Sequence, residues 1–116
     1  IFEPHFRRNY IHINDVVDGI IFSIKNFQTL KSNIYNLGLS SANLTKIMLA
    51  NKIKEQLKDL KIEIVKNKKD PDQRDYFVSN KKIEKKGFTA KTKIEDGISE
   101  LIKIFSNSNT KFVNNY

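Results

Sequence analysis

Between residues 7 and 16 the spacing of apolar side chains changes period, and that change constrains the fold more than any other feature of the chain. Over 7–13, Tyr10 and His12 alternate with Ile11 and Ile13, a two-residue period that predicts extended backbone. From Val16 onward, Val16, Val17, Ile20, Ile21, Ile24 and Phe27 recur in steps of one, three and four. That spacing puts them on one face of a helix. Asn14 or Asp15 is placed to cap it, and Asp15, Asp18 and Lys25 carry the signs that suit the two ends of a helix dipole. A strand feeding directly into a helix points to an α/β chain. Gly19 falls in the helix interior, where it costs about 1 kcal/mol relative to alanine, so a close packing contact is expected there.

The rest of the chain continues in short pieces. Residues 34–37 read as a short strand ended by Gly38, with Ser40, Ser41 and Asn43 forming a turn and a cap. A second amphipathic helix is expected over 44–57, with Leu44, Ile47, Met48, Ile53 and Leu57 inward. Residues 62–65 read as another strand, 66–73 as a polar loop containing Pro71, and 76–78 as extended. Ser79 or Asn80 caps a short helix that stops at Gly87, a left-handed C-cap. Thr92 and Glu95 have capping-box spacing. The final helix carries Ile94, Ile98, Leu101, Ile102 and Phe105 on one face, and residues 106–116 form a polar tail. The expectation is therefore about four helices with short strands, in one unit over 1–105 and without an internal repeat.

Composition excludes several classes. No apolar run approaches the roughly 20 residues that a membrane-spanning helix needs, and no signal peptide is visible. The chain has no cysteine, which rules out disulfides and thiolate metal sites and fits a cytoplasmic protein. His5 has no histidine or carboxylate at metal spacing, so no metal is expected. The net charge of +8 comes mostly from lysine spread along the chain beside many asparagines and isoleucines, the pattern of an AT-rich genome. Aromatic residues do not cluster beside the basic ones, so nucleic acid is not an expected partner. A stand-alone basic module for polyanions, or a noncatalytic interaction domain, remain as alternative readings.

Four blocks, in order, carry a resemblance. They are RNYIHINDVVDG at 8–19, YNLG at 35–38, RDYFVSNKKIEKKGF at 74–88 and IEDGI at 94–98. Together they resemble the C-terminal part of the extended short-chain dehydrogenase/reductases, the NAD-dependent epimerases and dehydratases of nucleotide-diphosphate sugars. The resemblance spans residues 6–105. It implies a C-terminal fragment of that α/β fold from which the Rossmann nucleotide-binding part is absent. It further implies an N-terminal Rossmann domain as partner, NAD or NADP as cofactor of the full-length protein with none on this chain alone, and a homodimer when full length. In the family the 34–37 strand joins the large sheet of the missing domain, so the fragment alone is expected to expose apolar surface and to aggregate or oligomerise.

The resemblance also assigns residues. Arg8 matches the family arginine that meets the sugar nucleotide's diphosphate, and Arg74 matches an arginine near the second phosphate-binding segment. Arginine suits that task, because its planar fork of donors stays protonated and pairs with phosphate oxygens. Arg7, Arg8 and Arg74 are the only arginines among 21 basic residues, so their placement is informative. The competing reading pairs Arg8 with Asp15 or Glu3, and Arg74 with Asp70, Asp72 or Asp75. Arg7 has no family counterpart and is expected to be solvated. Asn9 stands where the family has aspartate, and would orient Arg8 through a neutral hydrogen bond. His12 and Asn36 are expected to support the nucleotide or the structure. No catalytic residue is expected. Four residues after Tyr10, Tyr35 and Tyr76 come Asn14, Leu39 and Asn80, so the family's Tyr-x-x-x-Lys is missing, and the four glycines lie too far apart for the dinucleotide fingerprint.

Overall fold

A computed structural model describes residues 1–66 and 72–107. Most of the polar loop expected at 66–73, Pro71 included, and the tail from 108 lie outside the described residues. The chain is a mixed α/β protein with two strands among the described residues, β1 (Arg7–Asn9) and β2 (Asn43–Thr45). Its helices are α1 (Ile13–Lys25), α2 (Phe27–Leu30), α3 (Lys46–Gln56), α4 (Lys81–Glu84) and α5 (Ile94–Asn107), and a 3-10 turn over Ser40–Ala42 precedes β2.

β1 and β2 pair antiparallel, with Arg8 opposite Leu44. Ladder pairing covers only the first part of the extended stretch expected at 7–13, although the Tyr10 N–H still donates to the Ala42 carbonyl at 3.1 Å. Residues 43–45, expected as a cap and a helix start, are instead the second strand. The physical reason is visible at Asn43. Its carboxamide is spent on Val78, donating to the carbonyl at 3.0 Å and accepting from the N–H at 2.9 Å. Capping of α3 passes to Thr45, whose hydroxyl accepts from the Met48 N–H.

At α1 the cap is His12, whose Nδ1 accepts from the Asn14 N–H. Asp15, expected as a cap, does something else. It is 4% exposed and accepts from the N–H groups of Lys91 at 3.0 Å and Thr92 at 2.9 Å. It therefore ties the first turn of α1 to the approach of α5. Asn26 ends α1 by donating from Nδ2 to the Phe22 carbonyl, and the chain re-enters a short helix, α2. That break gives five helices among the described residues where about four were expected. Glu95, expected to reach back toward Thr92, accepts from the Lys52 ammonium at 2.5 Å and clips α5 to α3. Gly19 does mark a close contact. A Cβ there would sit 2.7 Å from Leu37 Cδ1 and 3.3 Å from Phe88 Cζ. A side chain at residue 19 would make the Leu37 methyls shift, so the glycine lets the 34–38 segment lie close on α1.

The segments 34–37, 62–65 and 76–78 form no strand among the described residues. Some of their backbone groups find other partners. The Ile34 carbonyl accepts from Lys82, and the Val65 N–H donates to the Ile1 carbonyl. The core is small. Leu39, Ala42 and Ala90 form a buried cluster with Tyr10 and Ile11 packed against it. Leu30, Leu44, Ile83, Phe88 and Ile98 are buried as well, and Gly87 ends the α4 turn at φ +101°. The faces expected to point inward are largely open: Val17, Ile20, Ile21, Ile24 and Phe27 are all exposed, as are Met48, Leu101 and Phe105.

Candidate functional site

β1 carries two adjacent arginines, and a strand sends adjacent side chains to opposite faces. Arg7 and Arg8 both nevertheless engage one segment, 72–76, which runs beside the strand. Arg7 takes Asp75. One carboxylate oxygen accepts from the Arg7 N–H at 2.8 Å and from Nε at 3.0 Å, and the other accepts from Nη2 at 3.0 Å. Arg7 is thus a staple for the segment and is not left to solvent as expected. Its hydrogen bonds and charge hold the Asp75 carboxyl below the usual carboxylate range.

Arg8 is more deeply held, with 15% of its side chain exposed. Nη1 donates to the Arg7 carbonyl at 2.8 Å and to the Arg74 carbonyl. Nη2 donates to the Asp72 carbonyl at 3.0 Å and lies 3.1 Å from the Asp72 carboxylate. The guanidinium also lies over the Tyr76 ring, 5.1 Å from its centroid. Three backbone carbonyls and an aromatic face fix this fork, and one of its contacts ends on a charged oxygen.

Arg74 meets the same carboxylate. Nε donates to Asp72 Oδ1 at 2.6 Å and Nη2 to Oδ2 at 2.9 Å, while 76% of its side chain is exposed. Asp72 is held well below the usual carboxylate range, first by the Arg74 hydrogen bonds and then by the two guanidinium charges, against some desolvation. Arg8 and Arg74, predicted together from the resemblance, therefore converge on one anionic group. Of the competing partners for Arg74, Asp72 is the one it takes, Asp75 goes to Arg7, and Asp70 lies outside the described residues. Arg8 also takes Asp72, while Asp15, one of its own competing partners, accepts from Lys91 and Thr92.

The other expected residues sit elsewhere. His12 caps α1 and places Nε2 2.9 Å from Glu100 of α5. Asn36 donates to the Ser79 carbonyl at 3.1 Å. Both join elements, and neither contact involves Arg8 or Arg74. Asn9 does not orient Arg8, because its Nδ2 donates to the Leu39 carbonyl at 2.9 Å. Its Oδ1 occupies the space a Cβ on Gly38 would need, 1.8 Å away. An aspartate here would have no proton to offer Leu39, which accounts for the amide at this position. Tyr76 was missed as a site residue. The one signal for it is an aromatic residue two positions after an arginine, where the polar segment turns apolar at Tyr76, Phe77 and Val78.

Among the described residues no group of three or more histidine or acidic side chains could hold a metal ion. No helix among them is long and apolar enough to cross a membrane. A concavity of about 450 Å³ lies between α3, α5 and the end of the β1 extension, walled by Tyr10, Leu39, Leu49, Ile98 and Leu101. Its wall is mostly apolar, with the His12–Glu100 pair and Lys93 also lining it. No protein-family model matches the chain.

Proposed function

We propose that this chain is the sugar-nucleotide-binding, C-terminal part of an NAD(P)-dependent epimerase or dehydratase, and that Arg8 and Arg74 hold the diphosphate. The observation that carries the reading is the convergence of these two arginines, far apart in sequence, on the Asp72 carboxylate. A carboxylate and a phosphate present similarly spaced oxygens to a guanidinium fork. A pair of forks that shares one carboxylate is arranged to share a diphosphate. Their contribution is binding and orientation of the substrate, with the sugar ring directed to a nicotinamide on another domain.

The residues described here do not fit the dinucleotide itself. Backbone approach to a pyrophosphate needs clustered glycines. Here Gly19 packs against Leu37, Gly38 against Asn9, Gly97 against His12, and Gly87 closes a helix. No step of oxidation or reduction is assigned to this chain, and the Rossmann domain is its proposed partner. The exposed faces of α1 and of the 34–37 segment are in keeping with that partner.

Saturation-transfer NMR with UDP-, dTDP-, GDP- and CDP-linked glucose or mannose tests the reading. One of these ligands is expected to receive transfer from the wild-type chain and to lose it in Arg8→Ala. Absence of transfer to all four, or equal transfer in Arg8→Ala, contradicts the assignment.

A further inference from the structure

The contact that unites the two arginines also obstructs them. Arg8 spends three hydrogen bonds on the carbonyls of Arg7, Asp72 and Arg74, and these place its fork without help from any carboxylate. Its remaining contact, Nη2 to Asp72 Oδ2 at 3.1 Å, is the one that a phosphate oxygen could take over. Arg74 gives both Nε and Nη2 to the same group. Any anion bound between these side chains must therefore displace the Asp72 carboxylate.

We propose that Asp72 is an internal counter-anion, occupying the diphosphate position until the ligand exchanges its own oxygens for the carboxylate. This rests on the reading of Arg8 and Arg74 as diphosphate ligands. Three features make the exchange feasible. The Asp72 side chain is 38% exposed, so it has solvent to swing into. Arg8 keeps its carbonyl bonds and its stacking on Tyr76 when the carboxylate leaves, so half of the site is preformed. Arg74 is mostly exposed and can follow the ligand. Asp72 also neutralises two adjacent cations while the site is empty. The consequence is a weaker but more selective site. A singly charged carboxylate or chloride gains little by exchange, whereas a diphosphate presents enough charge and enough oxygens to satisfy both forks at once.

The test is a titration of the 116-residue chain with inorganic pyrophosphate at fixed ionic strength, read by tyrosine fluorescence at low protein concentration. Far-UV circular dichroism serves as a check of folding. Asp72→Asn keeps the shape and removes the charge, and Asp72→Ser removes the charge with a shorter side chain in case the amide disturbs the turn. Each exposed ion pair that need not be broken is worth a few-fold in affinity, so both variants should bind pyrophosphate about tenfold more tightly than the wild type. The gain should shrink with added salt and vanish in Arg8→Ala/Asp72→Asn. Equal or weaker binding by both Asp72 variants, with binding by the wild type, overturns the counter-anion role and leaves the arginine site standing. No binding by any of the three overturns both. A gain in pyrophosphate affinity without saturation transfer to any sugar nucleotide leaves this inference in place and removes the sugar.

Discussion

Asp15 is the single residue on which most of the local architecture depends. Burial opposes its ionisation, yet the N–H groups of Lys91 and Thr92, the Thr92 hydroxyl and the nearby His12 together bring its pKa below the ordinary value. A depressed carboxyl binds fewer protons folded than unfolded, so its contribution is complete above about pH 5. It is lost as the pH falls through the ordinary aspartate value near ~3.9 and on to the lower folded one. Asp15→Asn keeps the size but turns an amide toward two N–H donors, and should cost about 1–3 kcal/mol at neutral pH. Urea melts of both proteins from pH 7 to pH 3 should show the gap closing as the pH falls. A constant gap would mean that Asp15 acts through packing alone. Asp15 was legible as an ionised residue at a helix start, but not as the tether between α1 and α5. Sequence shows the acceptor, whereas its donors at 91 and 92 arrive through the fold.

At the scale of elements, the helices were readable and their surroundings were not. The period of Val16, Val17, Ile20, Ile21 and Ile24 marks α1 and its apolar face, and Gly19 marks the contact with Leu37. What covers the rest of that face is not a local property, and in this chain Ile20 and Ile24 are 54% and 71% exposed. The segments 34–37, 62–65 and 76–78 have strand-like sequences but no ladder, because a ladder needs a neighbour that a local pattern cannot specify. Ile20→Lys/Ile24→Lys should therefore change unfolding free energy by under about 0.5 kcal/mol, whereas Ile83→Ala, in the core at 4% exposure, should cost about 2–5 kcal/mol. Equilibrium denaturation of the two variants, at a concentration low enough to keep the wild-type chain monomeric, checks the contrast, and a large loss in the lysine variant would mean that the α1 face is packed within the monomer. The proximity of Arg8 and Arg74 was legible for a different reason. Rare arginines in a lysine-rich chain stand out, and the resemblance names these two together, while the ion pair of Arg74 with Asp72 is its competing reading. The Arg74–Asp72 pair was among the competing readings, but the contacts of Arg8 with Tyr76 and Asp72 were not legible, because each is defined by what β1 brings beside it.

For the molecule as a whole, surface decides the behaviour. Eight hydrophobic residues are buried, while fifteen large ones are exposed among the described residues. Exposed apolar surface on that scale favours association. The chain by itself should sediment as more than a monomer at micromolar concentration, and the Ile20→Lys/Ile24→Lys variant should shift it toward monomer. A wild-type chain that sediments as a monomer and melts in one sharp transition would contradict the proposal that these surfaces face a larger domain. Whether Arg8 and Arg74 share one diphosphate is decided by a double-mutant cycle. The affinity of whichever sugar nucleotide binds would be measured for wild type, Arg8→Ala, Arg74→Ala and the double variant. Two forks on one diphosphate should be coupled by about 0.5 kcal/mol or more. Additive losses, or an affinity indifferent to either arginine, would contradict the account.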